Sequence, residues 1–217
     1  MNADTETVLL LHGLWMNRHV MTPLAIRLAN AGFATRSMSF ASMRASLDDN
    51  AALVTRELAS IAGPVHIVAH SYGGVVTLQA LAKTPNPLVK RIVLLGSPVG
   101  GSLAGEIIAA RPRLARLLGT TRTVWASGPR LVVPPDVDVG AIAGTTRIGL
   151  ARFFVELPQP NDGVVVVAET RLPGLTDHLS LATSHSTMLI SARVARHVEA
   201  FLRTGRFRLV FPSGPIE

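Results

Sequence analysis

Cysteine is absent from the 217 residues. Its absence excludes disulfides, cysteine nucleophiles and thiolate zinc sites together. Lysine is nearly absent too: only Lys83 and Lys90 occur, so the basic excess is almost all arginine. The 21 basic residues against 14 acidic ones leave a formal charge of +7. A basic balance can favour anionic partners such as nucleic acid or lipid headgroups. These arginines are scattered, without a block of about five or six like charges, so no nucleic-acid site is expected. Long apolar runs are missing as well; none approaches the ~18 residues of a membrane span. The leading segment Met1-Asn2-Ala3-Asp4-Thr5-Glu6 is acidic and polar. It lacks the basic-then-apolar order of a signal peptide, and a soluble, cytoplasmic protein is the expectation.

What is present can build a core. Apolar residues make up 48% and charged residues 16% of the chain, a composition that argues against global disorder. The length fits one domain over 1–217 with room for an insertion. Short apolar runs alternate with longer amphipathic ones. Strands are expected at Thr7–Leu11, Phe33–Met38, Val65–Ala69, Val89–Leu95, around Phe153-Phe154-Val155, and at His178–Ala182. Helices are expected at Arg18–Ala31, Leu47–Ile61, Tyr72–Ala82 and Thr187–Leu202. Gly32 stands where a C-cap glycine belongs, and Gly63-Pro64 stops the second helix. Such alternation means an α/β fold: a mostly parallel sheet of about six strands with helices on both faces. The stretch from about 100 to 149 is too long for one crossover helix. It holds an expected helix over Leu103–Leu118 and then a Gly/Thr/Pro-rich span, which marks an insertion of the kind that often forms a lid.

Ala69-His70-Ser71-Tyr72-Gly73 falls at a strand end and a helix start. The pattern matches a nucleophile elbow, G-x-S-x-G, with one added methyl at Ala69. Such a turn pushes the serine hydroxyl out over the sheet edge. Residues two before and two after must be tiny, because neighbouring backbone comes close.

With that segment in place, the chain resembles an α/β-hydrolase of the compact bacterial lipase/esterase type, from about Thr7 to Leu202. Leu11-His12-Gly13-Leu14 resembles the His-Gly loop after the first core strand. Leu95-Gly96-Ser97-Pro98 resembles the segment before the lid, and Asn161-Asp162-Gly163 the loop that holds the acid. The resemblance implies the chain order Ser, acid, His. Ser71 is then the nucleophile. His185, between the last strand and the last helix, is the base, with His178 and His197 as the other candidates. Asp162 is the acid and Glu156 its runner-up; Glu106, Asp136, Asp138, Glu169 and Asp177 also lie in the interval. Asn-Asp-Gly is equally good turn chemistry, so the motif alone leaves a plain turn open.

The backbone N–H groups of Leu14 and Tyr72 are the implied oxyanion donors. His12 and His70 read as structural hydrogen-bonders. No metal or cofactor is implied. Trp15, Met16, Leu103 and Ile107 are candidates for the substrate pocket. In the insertion helix, apolar residues either face an acyl chain or cover core. Arg111, Arg113 and Arg116 then face water or an anionic lipid surface. The implied activity is hydrolysis of a small-molecule or lipid carboxylic ester. The alternatives are a thioesterase and a non-catalytic receptor or scaffold on the same fold.

Overall fold

The computed structural model describes residues 6–128, 130–149 and 155–207. Six strands form one parallel sheet: β1 (Thr7–Leu11), β2 (Ala34–Met38), β3 (Val65–His70), β4 (Val89–Leu95), β5 (Asp138–Gly144) and β6 (Asp177–Leu181), in spatial order β2-β1-β3-β4-β5-β6. All five pairings are parallel. Alternate side chains of each inner strand enter two cores. Leu9, Leu11, Ile67 and Ile92 face the layer of α2 (Leu47–Ala59) and α3 (Tyr72–Lys83). Val8, Leu10, Val68 and Val93 face α1 (Thr22–Asn30) and α7 (Ala192–Thr204). Burial on both faces is why these strands read as continuous apolar runs.

The helix expected over Arg18–Ala31 begins as a 3₁₀ turn, Arg18–Met21, before Thr22-Pro23 opens α1. Likewise Thr187–Leu189 is a 3₁₀ turn, and α7 starts afresh after Ser191, whose side chain accepts from Val194 N at 3.3 Å.

The fifth strand differs from the sequence expectation. It lies at Asp138–Gly144, inside the stretch assigned to the insertion. Phe153 and Phe154 lie outside the described residues, and Val155 is buried but in no strand. The reason is packing. β5 reads Asp-Val-Gly-Ala-Ile-Ala-Gly, poor in strand-favouring residues. At Gly140 a Cβ would come within 2.5 Å of the Phe201 ring and 2.7 Å of the Phe207 ring. Large aromatics from outside the sheet take the volume that β-branched side chains would fill.

The insertion between β4 and β5 therefore covers 96–137 rather than reaching 149. Its expected single helix is broken into α4 (Leu103–Ala109), α5 (Pro112–Ala115), a 3₁₀ stretch Arg116–Thr121 and α6 (Arg122–Ser127). Pro112 cannot supply a helical N–H, and Gly119 takes φ 56°, outside helical space. Ala104, Ile108, Leu118, Val124 and Trp125 are all buried in the α2/α3-side core. Arg111, Arg113 and Arg116 are exposed. Among the described residues, no helix is long and apolar enough to cross a membrane.

Candidate active site

The turn from β3 into α3 sets Ser71 at φ 53°, ψ −125°. A non-glycine residue in that region costs about 1–3 kcal/mol and persists only where its surroundings over-determine it. Ser71 N donates to Leu95 O at 2.9 Å, and Gly74 N donates back to Ser71 O at 3.0 Å. Close approach explains the small neighbours. A Cβ at Gly73 would lie 2.5 Å from His12 O, and one at Gly74 would lie 2.3 Å from Ser97 Oγ.

Asp162 and His185 are joined and buried. Their carboxylate and ring meet at 2.7 Å, Oδ2 to Nδ1. The other carboxylate oxygen, Oδ1, accepts from Val164 N at 2.9 Å and Val165 N at 2.7 Å. Asp162 O also accepts from His185 N at 3.0 Å. The Asp162 loop is built from its own sequence: Asn161 Nδ2 donates to Pro158 O at 2.8 Å, and Asn161 Oδ1 accepts from Gly163 N at 3.0 Å. With Nδ1 facing a carboxylate, the neutral ring of His185 is set to carry its proton on Nδ1, which leaves Nε2 able to accept one.

Gly96 links the dyad to the elbow, since it follows Leu95, the acceptor for Ser71 N. A Cβ on Gly96 would fall 3.0 Å from Asp162 Oδ2 and 3.1 Å from His185 Nδ1. Gly13 brings the His-Gly loop to the same place; its Cβ would lie 2.9 Å from Ser71 Cβ and 3.1 Å from His70 Nδ1. Three candidate groups from distant stretches thus gather at the carboxyl rim of the sheet, where open α/β folds bind ligands.

The other histidines are engaged elsewhere. His12 Nδ1 donates to Gly13 O at 2.8 Å, and its Nε2 accepts from Phe40 N at 3.3 Å. Its ring stacks on Phe40 at 4.3 Å. Burial lowers its pKa. His70 Nε2 donates to His185 O at 2.9 Å. Burial, then the neighbouring His185, pushes His70 down to about 3, so its ring is neutral. His178 meets Thr170 Oγ1 at 2.8 Å at the amino end of β6, the opposite edge from Ser71. His197 meets Phe207 O at 2.8 Å from within α7.

The other acids are likewise distant or differently employed. Glu106, Asp136 and Glu156 are exposed. Asp138 pairs with Arg91 at 3.3 Å, and Asp177 accepts from Phe207 N at 2.9 Å. Glu169 is a brace: its carboxylate accepts from Leu103 N at 2.6 Å and Val166 N at 2.7 Å, tying α4 to the Asp162 loop. Burial raises its pKa. No group of three or more metal-ligating side chains is assembled among the described residues.

Tyr72 occupies the first turn of α3, where backbone N–H groups have no intrahelical acceptor. Its ring is buried edge-on to Trp125 at 5.8 Å, and burial pushes its hydroxyl up to about 12. Leu14 is half-buried just past Gly13. Of the pocket candidates, Leu103 and Ile107 pack half-buried on the α2/α3-side core, whereas Met16 packs on the opposite one. Trp15 is 54% exposed at φ 61°, and its indole Nε1 donates to Leu117 O at 2.7 Å. No local pattern marks two supports, the Trp125 ring against Tyr72 and the Glu169 brace, because each contact joins segments far apart in the chain.

A parallel sheet carrying a strained serine turn, with an Asp–His pair on the following loops, defines the α/β-hydrolase class. The chain belongs to the alpha/beta hydrolase family, whose model matches residues 8–213. It is similar in structure to the mature Bacillus licheniformis lipase BlEst2. That match has a TM-score of 0.77 at 19% identity over 95% of this chain and 94% of that one. It is also similar to the metagenomic carboxyl esterase MGS0156, with a TM-score of 0.69 at 20% identity over 94% and 76%. Carboxylesterase CesB (YbfK) from Bacillus subtilis gives a TM-score of 0.58 at 17% identity over 92% and 84%. At these identities the likeness is one of fold. Comparison with curated proteins finds no significant match.

Proposed function

We propose that the protein is a serine hydrolase that cleaves carboxylic esters through an acyl-enzyme. The observation carrying this reading is the buried 2.7 Å pair of Asp162 and His185 beside the strained turn of Ser71. A serine hydroxyl is a weak nucleophile at neutral pH and needs a base held in one tautomer. In the proposed reaction Ser71 Oγ attacks the acyl carbonyl while His185 Nε2 takes its proton. The Leu14 and Tyr72 N–H groups stabilise the oxyanion; one such donor is typically worth about 3 kcal/mol of barrier. The C–O bond breaks, and the alcohol leaves with the proton from His185. Water, deprotonated by the same imidazole, then attacks the acyl-serine and releases the acid. Trp15, Leu103 and Ile107 supply apolar wall on the insertion side. The lipase and the two carboxylesterases among the similar structures favour an ester over a thioester.

The test is labelling by a fluorophosphonate probe, followed by turnover of nitrophenyl esters of increasing acyl length beside matched thioesters. Labelling in the wild type and none in Ser71→Ala is the expected result. A folded wild-type chain that stays unlabelled would overturn the enzyme reading in favour of a scaffold, and faster thioester turnover would move the substrate class.

A further inference from the structure

Two long stretches that border the carboxyl rim of the sheet carry no acidic residue. Residues 7–47 contain no Asp or Glu, and neither do residues 107–135. These stretches supply three of the rim segments around Ser71: the loop after β1, the loop after β2 and most of the insertion after β4. The insertion is fastened onto the other two. Thr120 N donates to Met43 O at 3.1 Å, Thr120 Oγ1 donates to Ala45 O at 2.6 Å, and Trp15 reaches Leu117 O.

Arg18, Arg44, Arg113, Arg116 and Arg147 are exposed on rim segments. Ion pairs among the described residues include Arg36–Glu57, Lys83–Asp48, Arg91–Asp138 and Arg203–Glu199, and these do not use the five rim arginines. The opposite, amino edge is mixed: Glu6, Asp136, Asp138 and Asp177 stand there with Lys90, Arg91 and Arg206. The exposed acids nearest the rim are Asp48 and Asp49 at the start of α2, Glu106 and Glu156. Asp48 is neutralised by Lys83, and Asp49 caps α2 through Ser46. The same rim carries Trp15, Leu117, Ile148 and Ile190, which are 54, 42, 65 and 57% exposed.

We infer that this rim docks on an anionic lipid bilayer, presenting Ser71 to esters held in that surface. The inference rests on the hydrolase reading for its substrate, but not for its docking. Arginines supply the attraction to anionic headgroups, and the four apolar tips enter the interfacial layer. The Trp15 N–H is already satisfied by Leu117 O, so its ring enters without stranding a donor. A nucleic acid would use the arginines but offers nothing to the apolar tips.

The experiment uses full-length Ser71→Ala protein, which binds without consuming lipid. Vesicles of phosphatidylcholine, with and without phosphatidylglycerol, are compared by co-sedimentation and tryptophan emission. Binding is expected on the anionic vesicles only, weakening with salt, with a blue shift from Trp15. Replacing Arg113 and Arg116 by Ser lowers partitioning about fivefold per arginine, and Trp15→Ser removes the blue shift. Circular dichroism checks that each variant is folded. Equal partitioning on both vesicles, none at low salt, or tighter binding to duplex DNA would overturn the docking proposal. Fluorophosphonate labelling of the wild type in solution needs no membrane, so failure of docking and failure of the hydrolase reading are separable.

Discussion

The ring of His70 holds the backbone of His185: Nε2 donates to the His185 carbonyl at 2.9 Å, with the ring centroids 4.6 Å apart. On its other side, His185 N donates to Asp162 O. The peptide of the candidate base is thereby fixed at both ends, which makes His70 a positioning residue. Leaving a buried carbonyl without its donor costs about 1–3 kcal/mol. His70→Leu is expected to lower kcat roughly ten- to a hundredfold with little change in KM. His70→Gln, whose amide reaches a similar point, restores part of the loss. Steady-state kinetics on a short nitrophenyl ester check this; equal loss in both variants would reduce His70 to a packing role.

Three fully buried histidines make the fold acid-sensitive. Burial lowers the pKa of His12, His66 and His70, the last to about 3. Each folded-state pKa lies below the unfolded value near 6.5, so the unfolded chain binds more protons as pH falls. Their contribution is full above about pH 6.5 and is lost on acidification, by at most about 1.4 kcal/mol per pH unit for each histidine. Denaturant melts at pH 7, 6, 5 and 4 are expected to show falling stability. His70→Gln is expected to flatten that slope, and an unchanged slope would contradict the assignment.

The parts legible in the sequence are those set by local chemistry. Strands Thr7–Leu11 and Val89–Leu95 stand where the apolar runs put them. The Ser71 turn could be read because a strand, a tiny-residue turn and a helix are contiguous. The order of Asp162 and His185 was readable only through family resemblance, and the structure joins them. The strand Asp138–Gly144 was not readable, because its small residues answer to Phe201 and Phe207 from elsewhere in the chain. Nor was the hold of His70 on His185, or the Glu169 brace between α4 and the Asp162 loop. Composition recorded the arginine excess but not its location, which depends on which loops share the rim.

Gly96 is where the dyad tolerates no side chain. At φ 55° an alanine is strained by about 1–2 kcal/mol. Its Cβ would press on Asp162 Oδ2 and His185 Nδ1 at 3.0 and 3.1 Å. Both atoms belong to the dyad, so relief requires moving the imidazole. Gly96→Ala is expected to cut kcat/KM by about 10²-fold, as small misplacements of reacting groups do, while the melting temperature falls only a few degrees. A variant with near-normal turnover would show that the pair can shift without consequence.

The strain at Ser71 gives a prediction in which stability and activity move in opposite directions. Its φ of 53° and ψ of −125° suit glycine far better than any residue with a Cβ. Backbone bonds to Leu95 O and from Gly74 N hold the turn, and they do not depend on the serine side chain. Ser71→Gly therefore removes strain while leaving the framework. Glycine's greater freedom in the unfolded chain offsets part of the gain. The net expectation is about 1 kcal/mol of added stability relative to Ser71→Ala, which keeps the Cβ and the strain. Both variants lose fluorophosphonate labelling. If Ser71→Gly melts below Ser71→Ala, the turn is relaxed rather than strained, and the elbow holds its hydroxyl by packing alone.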